Sequence, residues 1–394
     1  MTTSLAVERQ HSLDALRAAM MLLGLVLHSA VTYTITPLGD TWPHKDPQTS
    51  VLFDWVVFII HLFRMPTFFV MAGFFAALLY YREGVGGFLA HRVRRLLIPL
   101  FLGWAVLGPI SFAGFQFAQL GGGADAFRAA VARLTTSPYA GVHLLHLWFI
   151  YFLILFCLAA VGIVPMLQRL PATWRAGLVD QFGRRAPSWR GCLVLGAISA
   201  ITLLPMEKPA LDTSFGFVPY TRVLVAYAVF FSFGWLLFLR RDVVAQFGSY
   251  PWRYLGAGLA VSVVYMALSL RVAAGDRQGH LPAVVVGAFA MWLLVYGVMG
   301  LFLRYCECNR PIQRYLSDGS YWMYLIHLPI VVWTQGLLAS IPLSPVLKFL
   351  IVLIVTTAAT LLTYHFFVRA TAVGAMLNGR RFERTWPALK ARVA

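Results

Sequence analysis

Long apolar runs constrain the fold of this chain more than any other feature of its sequence. Residues 96–117, 144–167, 282–303 and 349–368 approach or exceed the roughly 20 apolar residues that an α-helix needs to cross about 30 Å of hydrocarbon. None of these runs alternates apolar with polar residues, as the strands of a membrane barrel do. We therefore expect an all-α, polytopic transmembrane helical bundle.

Composition and breaker residues extend this expectation to the whole chain. Of the 394 residues, 60% are hydrophobic and only 12% are charged, which leaves too little polar surface for a water-soluble globule. We predict one integral-membrane domain over residues 1–394, with a retained first span rather than a cleaved signal peptide. The ten predicted spans cover about residues 15–36, 51–81, 95–118, 142–167, 190–206, 219–239, 251–270, 281–303, 315–340 and 344–368.

Lysine and arginine residues indicate the orientation of these spans. With the N-terminus in the cytoplasm, 23 of the 32 basic residues fall in inner segments, 8 fall in outer segments, and only Arg64 lies within the membrane. This bias follows the positive-inside rule and predicts that both termini are cytoplasmic. The net charge of +17 is then explained by topology and by anionic lipid head groups, so we expect no nucleic-acid partner.

Three local features give further expectations. Pro66 lies in the overlong second span and should break or kink it. The segment 121–135, which opens with three glycines, is compatible with a short interfacial helix. The four cysteines have no disulfide or metal-ligand spacing, and we expect no metal site. They are Cys157, Cys192, Cys306 and Cys308.

Ionisable side chains at membrane depth are costly and usually face a cavity, a partner or a substrate. For any single one of them, a role that only ties helices together is a reasonable alternative. The whole set favours a functional site, because structural contacts rarely need so many ionisable groups. The set comprises Asp14, Arg17, His28, Asp54, His61, Arg64, His143, His146, His327 and His365.

Arg17 and His28 form the most informative pair. They are separated by eleven positions, so they share one helix face with roughly 16 Å of axial rise between them. Arg17 then lies at the cytoplasmic end, and His28 lies near mid-membrane. His327 follows Arg314 by thirteen positions, which places it at a depth similar to that of His28. Two imidazoles at one depth suggest a buried proton-transfer site, although a transporter or flippase could also use them.

Arg64 needs an anionic partner, and a cluster of three other arginines is a candidate anion site. Arg64 is three residues after His61 and requires an anion or a strong dipole, for which Asp54, a substrate carboxylate or carbonyls freed at a kink are candidates. Arg92, Arg94 and Arg95 open the third span. These three could be a topology signal or a cradle for a polyanion such as the phosphates of a cytosolic cofactor.

Four motifs resemble the acyltransferase 3 family of membrane acyltransferases. Arg17 and His28 are similar to its pattern of arginine, ten residues and histidine, and Arg92-Val93-Arg94-Arg95 is similar to its R-x-x-R. Phe69-Val70-Met71-Ala72-Gly73-Phe74 resembles F-x-x-S-G-F with Ala72 in the serine position. Ser320-Tyr321-Trp322-Met323-Tyr324-Leu325-Ile326-His327-Leu328-Pro329 resembles S-Y-x-x-Y-L-x-H-x-P.

Three further segments are similar to the branch of that family that succinylates osmoregulated periplasmic glucans. They are His61-Leu62-Phe63-Arg64-Met65-Pro66, His146-Leu147-Trp148-Phe149 and Leu377-Asn378-Gly379-Arg380-Arg381. The resemblance implies a multi-pass protein of the bacterial inner membrane, with no permanent cofactor and with homo-oligomers possible. The implied reaction moves an acyl group, with succinyl favoured, from cytosolic acyl-CoA to a periplasmic glucan. Acetyl transfer to another envelope polysaccharide is the alternative.

The resemblance also implies roles for individual residues. His28 is the expected general base or acyl acceptor, and His327 is a second catalytic or orienting residue. Arg17, itself a candidate catalytic residue, would hold CoA phosphates together with Arg92 and Arg95. Ala72 leaves no hydroxyl at the family's serine position. The expected substrate-binding residues are Asp54, His61, Arg64, His146, Trp148 and Tyr321. For Arg64 this expectation rests on its charge and not on the resemblance.

Overall fold

The computed structural model describes residues 11–136, 143–307 and 311–386. It is 82% helical and contains no strand in those ranges. Cys308 and the basic residues Arg9 and Arg310 lie outside the described residues. The all-α membrane fold predicted from the apolar runs is confirmed.

The described helices follow one another along the chain, and their connections range from short turns to longer segments such as residues 31–50 and 204–220. A π-helical turn, Val93–Leu97, joins α2 to α3, and a second one, Tyr364–Val368, follows α12. The α-helices are α1 His11–Ala30, α2 Val51–Arg92, α3 Ile98–Gln119, α4 Gly123–Thr136, α5 Trp148–Gln168, α6 Ala172–Arg185, α7 Trp189–Leu203, α8 Thr221–Leu239, α9 Pro251–Ala273, α10 His280–Tyr305, α11 Pro311–Leu338, α12 Pro345–Thr363 and α13 Ala372–Asn378.

Within the described residues, seven continuous helical segments are long and apolar enough to cross a membrane. The bent pair α6 and α7, which turns by 110°, raises the number to eight. One of the seven, Val51–Gln119, has 69 residues, far more than the roughly 20 that one crossing needs. Each of the ten predicted spans overlaps one helix. The ten-span count and the cytoplasmic termini stay predictions.

Of the break or kink predicted at Pro66, the break is wrong, and a kink there stays a prediction. Helix α2 continues through Pro66, and its non-helical backbone angles lie at Gly84, with φ 68° and ψ 178°. Membrane helices tolerate proline where neighbouring groups satisfy the freed carbonyl. The angles at Gly84 belong to a region that is essentially restricted to glycine. The turn therefore comes after the apolar part of α2, among the polar residues that begin at Arg82.

Helices α2 and α8 cross at two glycines. A Cβ atom at Gly73 would overlap the carbonyl of Phe231, and a Cβ atom at Gly234 would overlap the carbonyl of Val70. Small residues let helix backbones approach closely in a membrane, where dispersion contacts drive association. Gly73 of the F-x-x-S-G-F-like motif is thus explained by packing.

Residues 34–50, which we call the outer loop, connect α1 to α2 and are held at both ends. Asp54 accepts hydrogen bonds from the N–H groups of Ile35 and Thr36 at 2.7 and 3.0 Å. Lys348 of α12 is 0% exposed, and its Nζ lies 2.8 Å from a carboxylate oxygen of Asp46. The same ammonium donates to Gln48 Oε1 at 3.0 Å. The loop is therefore fixed against the helix ends.

We expect that replacing Lys348 by methionine destabilises the protein by about 3–5 kcal/mol, because it leaves the Asp46 carboxylate buried without its cation. The double variant Lys348→Met, Asp46→Leu should recover most of that loss, since no unpaired charge remains. Thermal unfolding in detergent measures both changes. A single variant as stable as the wild type would contradict the role of this ion pair.

His44 makes the stability of the outer loop depend on pH. Burial lowers the pKa of His44 from 6.5 to about 4, with Asp46 opposing the shift and Lys348 adding to it. Between these values the unfolded chain binds a proton that the folded protein does not, so stability falls as pH falls from about 6.5 to about 4. The expected loss is about 3 kcal/mol.

The measurement is the pH dependence of thermal unfolding of the wild type and of His44→Phe. The difference between the two curves isolates His44 from the other buried histidines. We expect the variant to lose less stability over that pH range. Parallel curves would contradict the assignment.

Candidate active site

His28 and His327 contact each other directly. Nδ1 of His28 lies 2.8 Å from Nε2 of His327, and the two rings are nearly parallel, at 11°. This contact agrees with the similar depth predicted from the helical rise. Helix α1, however, ends at Ala30, so His28 lies in its last turn rather than in the middle of a span that extends to residue 36. A 3₁₀ turn, Val31–Tyr33, follows α1, and beyond it the Thr34 hydroxyl donates to the Val31 carbonyl and the Asp54 carboxylate accepts the Ile35 N–H.

Hydrogen bonding determines where the protons of this pair lie. Nδ1 of His327 is 2.6 Å from the carbonyl oxygen of Tyr324. A carbonyl can only accept, so Nδ1 of His327 carries the hydrogen and its Nε2 is the acceptor when the ring is neutral. Nδ1 of His28 must then donate to His327, which leaves the lone pair of His28 on Nε2. Because His28 is only partly buried, this nitrogen is available to a substrate proton.

His146 supports the pair from a third element. Its Nε2 donates to the Leu325 carbonyl at 2.9 Å, and its ring centroid lies 5.1 Å from that of His327. The Tyr324 hydroxyl in turn donates to the backbone carbonyl of His146 at 2.6 Å. These contacts fix the start of α5 against the turn of α11 that carries His327.

Arg64 lies one helical turn from His28. A Cβ atom at Gly24, four residues before His28, would be 2.5 Å from Nη1 of Arg64. The guanidinium interacts electrostatically with His28, Tyr227 and Tyr324. Its Nε is buried without a hydrogen-bond partner, and Arg64 forms no ion pair among the described residues. Gly24 is therefore the position that admits this cation beside α1.

Asp54 is not the partner of Arg64. Both of its carboxylate oxygens accept backbone N–H groups of the outer loop, and it lies ten residues before Arg64 on α2, about 15 Å along the axis. Pro66 has no N–H and leaves a carbonyl of the preceding turn free, but Arg64 makes no hydrogen bond with a carbonyl among the described residues. Three kinds of partner were predicted for Arg64. The described residues provide neither Asp54 nor a carbonyl as its partner, so a substrate carboxylate is the candidate that remains.

A cleft at the other end of α1 gathers basic residues. We call it the inner cleft; it is lined by Arg17, Arg92, Arg95 and Tyr321 and is open to solvent. Met21 and Phe68 also line it, and they lie on α1 and α2 between Arg17 and the level of Arg64. Arg94 is exposed and does not line the cleft. The structure thus brings together Arg17, Arg92 and Arg95, the three arginines expected to hold CoA phosphates.

A family model described as an acyltransferase domain, of the acyltransferase 3 type, matches residues 10–365. The chain belongs to this family. Similar proteins include those named glucans biosynthesis protein C from Salmonella paratyphi B (strain ATCC BAA-1250 / SPB7) and Salmonella schwarzengrund (strain CVM19633). Each is 24% identical over 381 residues, which cover 96% of this chain and 97% of the relative. No solved structure matches the chain. The protein is therefore a membrane acyltransferase.

Of the remaining predicted residues of the acyltransferase, His61 interacts electrostatically with His28 and with Arg64. Tyr321 lies in the inner cleft and donates to the Arg95 carbonyl at 2.7 Å. Trp148 packs in an aromatic cluster with Phe152 and Tyr227. Three other candidates have local partners. Asp14 pairs with Arg17 at 3.2 Å, His61 contacts the Leu211 carbonyl at 3.1 Å, and His365 contacts the Tyr315 hydroxyl at 3.0 Å. His143 is exposed.

Two residues of the site were missed by the sequence analysis. Trp42 of the outer loop packs against His28, with ring centroids 5.4 Å apart, and its Nε1 is buried without a partner among the described residues. Tyr324 supplies the carbonyl that orients His327. Loop residues such as Trp42 have no periodicity that predicts their contacts. Tyr324 stands three residues before His327 in the S-Y-x-x-Y-L-x-H-x-P-like motif, and that spacing was the available signal.

Proposed function

We propose that this acyltransferase moves a succinyl group from cytosolic succinyl-CoA to a hydroxyl group of a periplasmic glucan at the bacterial inner membrane. The succinyl assignment rests on the unpaired charge of Arg64. Its guanidinium lies beside Gly24, one turn from His28, its Nε is buried, and no carboxylate among the described residues forms an ion pair with it.

The charge of Arg64 needs an anion that is present before the transition state forms. Burying an unpaired guanidinium costs several kcal/mol, and an oxyanion that exists only in the transition state does not offset that cost in the resting enzyme. The free carboxylate of a succinyl group would offset it while the donor is bound. The planar guanidinium can bind a carboxylate through two parallel hydrogen bonds. An acetyl group offers no such partner.

The histidine pair supplies the acid–base chemistry. Nε2 of His28 takes the proton of the acceptor hydroxyl as its oxygen attacks the thioester carbonyl carbon. The carbon–sulfur bond of the tetrahedral intermediate then breaks, and the CoA sulfur leaves with the proton from His28. His327 stabilises the imidazolium because its Nε2 accepts the Nδ1–H of His28, and the Tyr324 carbonyl orients His327. A site inside the bundle also limits hydrolysis of the thioester.

The inner cleft suits the nucleotide end of the donor. Arg17 and Arg92 can neutralise phosphates there, and the apolar residues Met21 and Phe68 lie between these arginines and the level of Arg64. The names of the similar Salmonella proteins support glucan as the acceptor.

A deletion strain tests the acyl group and the acceptor together. Mass analysis of its envelope glycans should show that periplasmic glucans lose succinyl groups and their negative charge, and that expression of the wild-type chain restores both. Loss of acetyl groups from another polysaccharide, with succinylated glucan unchanged, would contradict the proposal. That result would favour the acetyltransferase alternative.

A further inference from the structure

The C-terminal helix α13 forms one wall of the inner cleft. Leu377 and Asn378 at its end line the same cleft as Arg17 and Arg92. The family model ends at residue 365, so this wall lies beyond the part of the chain that the family match covers. Gly379 ends α13 with φ 78°, a left-handed conformation that favours glycine.

Arg95 holds this wall in place. Its Nε donates to the Leu377 carbonyl at 2.8 Å, and its Nη2 donates to the same oxygen. Its Nη1 donates to Nε2 of His91 at 3.2 Å. Arginine has no acceptor, so His91 must accept at Nε2 and carry its hydrogen on Nδ1 when the ring is neutral. Arg95 is thus a positioning residue for both His91 and the end of α13.

Three N–H donors of the inner cleft are buried without a partner among the described residues. They are Nδ1 of His91, Nε of Arg92 and Nδ2 of Asn378. An unmade hydrogen bond costs about 1–3 kcal/mol for each buried group, and native proteins rarely leave several in one place. These three groups are all hydrogen-bond donors and lie next to the Arg17 and Arg92 cations. They therefore match an anionic ligand with many acceptor oxygens.

We propose that Asn378 and His91 donate hydrogen bonds to phosphate oxygens of the nucleotide part of the acyl donor. The assignment rests on the proposed function, because acyl-CoA is the phosphate-bearing donor in that reaction. It adds the segment after residue 365 to the donor site. A lipid phosphate could satisfy the same donors, and the experiment separates the two sources.

The test is calorimetric binding of CoA and of pantetheine, which lacks the phosphates, to the purified full-length protein. Asn378→Leu removes the amide and keeps the side-chain size. We expect it to raise the Kd for CoA about tenfold, the effect of one hydrogen bond to a charged group. The Kd for pantetheine should not change. Asn378→Asp should weaken CoA binding further, since a carboxylate repels phosphate.

Val373→Ala, at an exposed position of the same helix, is the matched control and should bind CoA like the wild type. Equal changes for CoA and pantetheine would overturn the phosphate contact, and so would an unchanged Kd for CoA, as expected for a lipid ligand. Binding does not depend on turnover. Wild-type protein that binds CoA through Asn378 but transfers no acyl group would therefore refute the proposed function and leave this assignment standing.

Discussion

Replacing His28 by alanine is expected to lower acyl transfer at least about 1000-fold, within the range attributed to a positioned general base. The variant removes the only nitrogen of the pair whose lone pair is available to the acceptor hydroxyl. His327 cannot replace it, because its Nδ1 is bound to the Tyr324 carbonyl and its ring is 2% exposed. The measurement is transfer of labelled succinyl from succinyl-CoA to glucan.

The control for this prediction is His280→Ala, at the start of α10 and outside the site, which should keep wild-type activity. Size-exclusion chromatography and thermal unfolding should show that His28→Ala remains folded and inserted. His327→Gln should lose less activity than His28→Ala, since it disturbs only the orientation and charge stabilisation of His28. Substantial transfer by His28→Ala would remove His28 from the catalytic role.

Replacing Arg64 by glutamine is expected to lower the rate with succinyl-CoA about 100-fold and the rate with acetyl-CoA less than about tenfold. Removing one partner of a buried charge pair costs about 2–5 kcal/mol, and only the succinyl donor carries the second partner. The measurement is kcat/KM for the two donors with the same glucan. Equal losses for both donors would refute the carboxylate contact.

Two further variants sharpen the role of Arg64. Gly24→Ala should cause a similar donor-selective loss, because its Cβ would displace Nη1 of Arg64. The donor-free Arg64→Gln protein should be as stable as the wild type or more stable, since it no longer buries an unpaired charge. A fall in its melting temperature would show instead that Arg64 ties helices together.

Helical rise and hydropathy predicted much of this fold. The run at 251–270 became α9, Pro251–Ala273, and the run at 95–118 became α3, Ile98–Gln119. The depth of His28 and His327 followed from the constant rise of a helix, which is why their contact could be expected. Helix α2 continued past residue 81 to Arg92, because a polar helix outside the hydrocarbon leaves no apolar run to detect.

The sequence does not show which of several possible partners a residue binds, and this explains what was predicted wrongly or missed. Asp54 was a plausible partner for Arg64 by charge, but the backbone amides of Ile35 and Thr36 bind it. Trp42 could not be placed, because the outer loop is positioned by tertiary contacts such as the Lys348–Asp46 pair. The inner cleft was predicted through its arginines, whereas Asn378 enters it only because Arg95 binds the end of α13.

The most direct test of the central claim is reconstitution of the purified protein in liposomes, with acyl-labelled succinyl-CoA on the side of the inner cleft and glucan on the other. We expect labelled glucan and one free CoA for each succinyl group transferred, with neither product formed by His28→Ala. Movement of glucan or succinyl-CoA across the membrane without release of CoA would contradict the central claim and would identify a transporter.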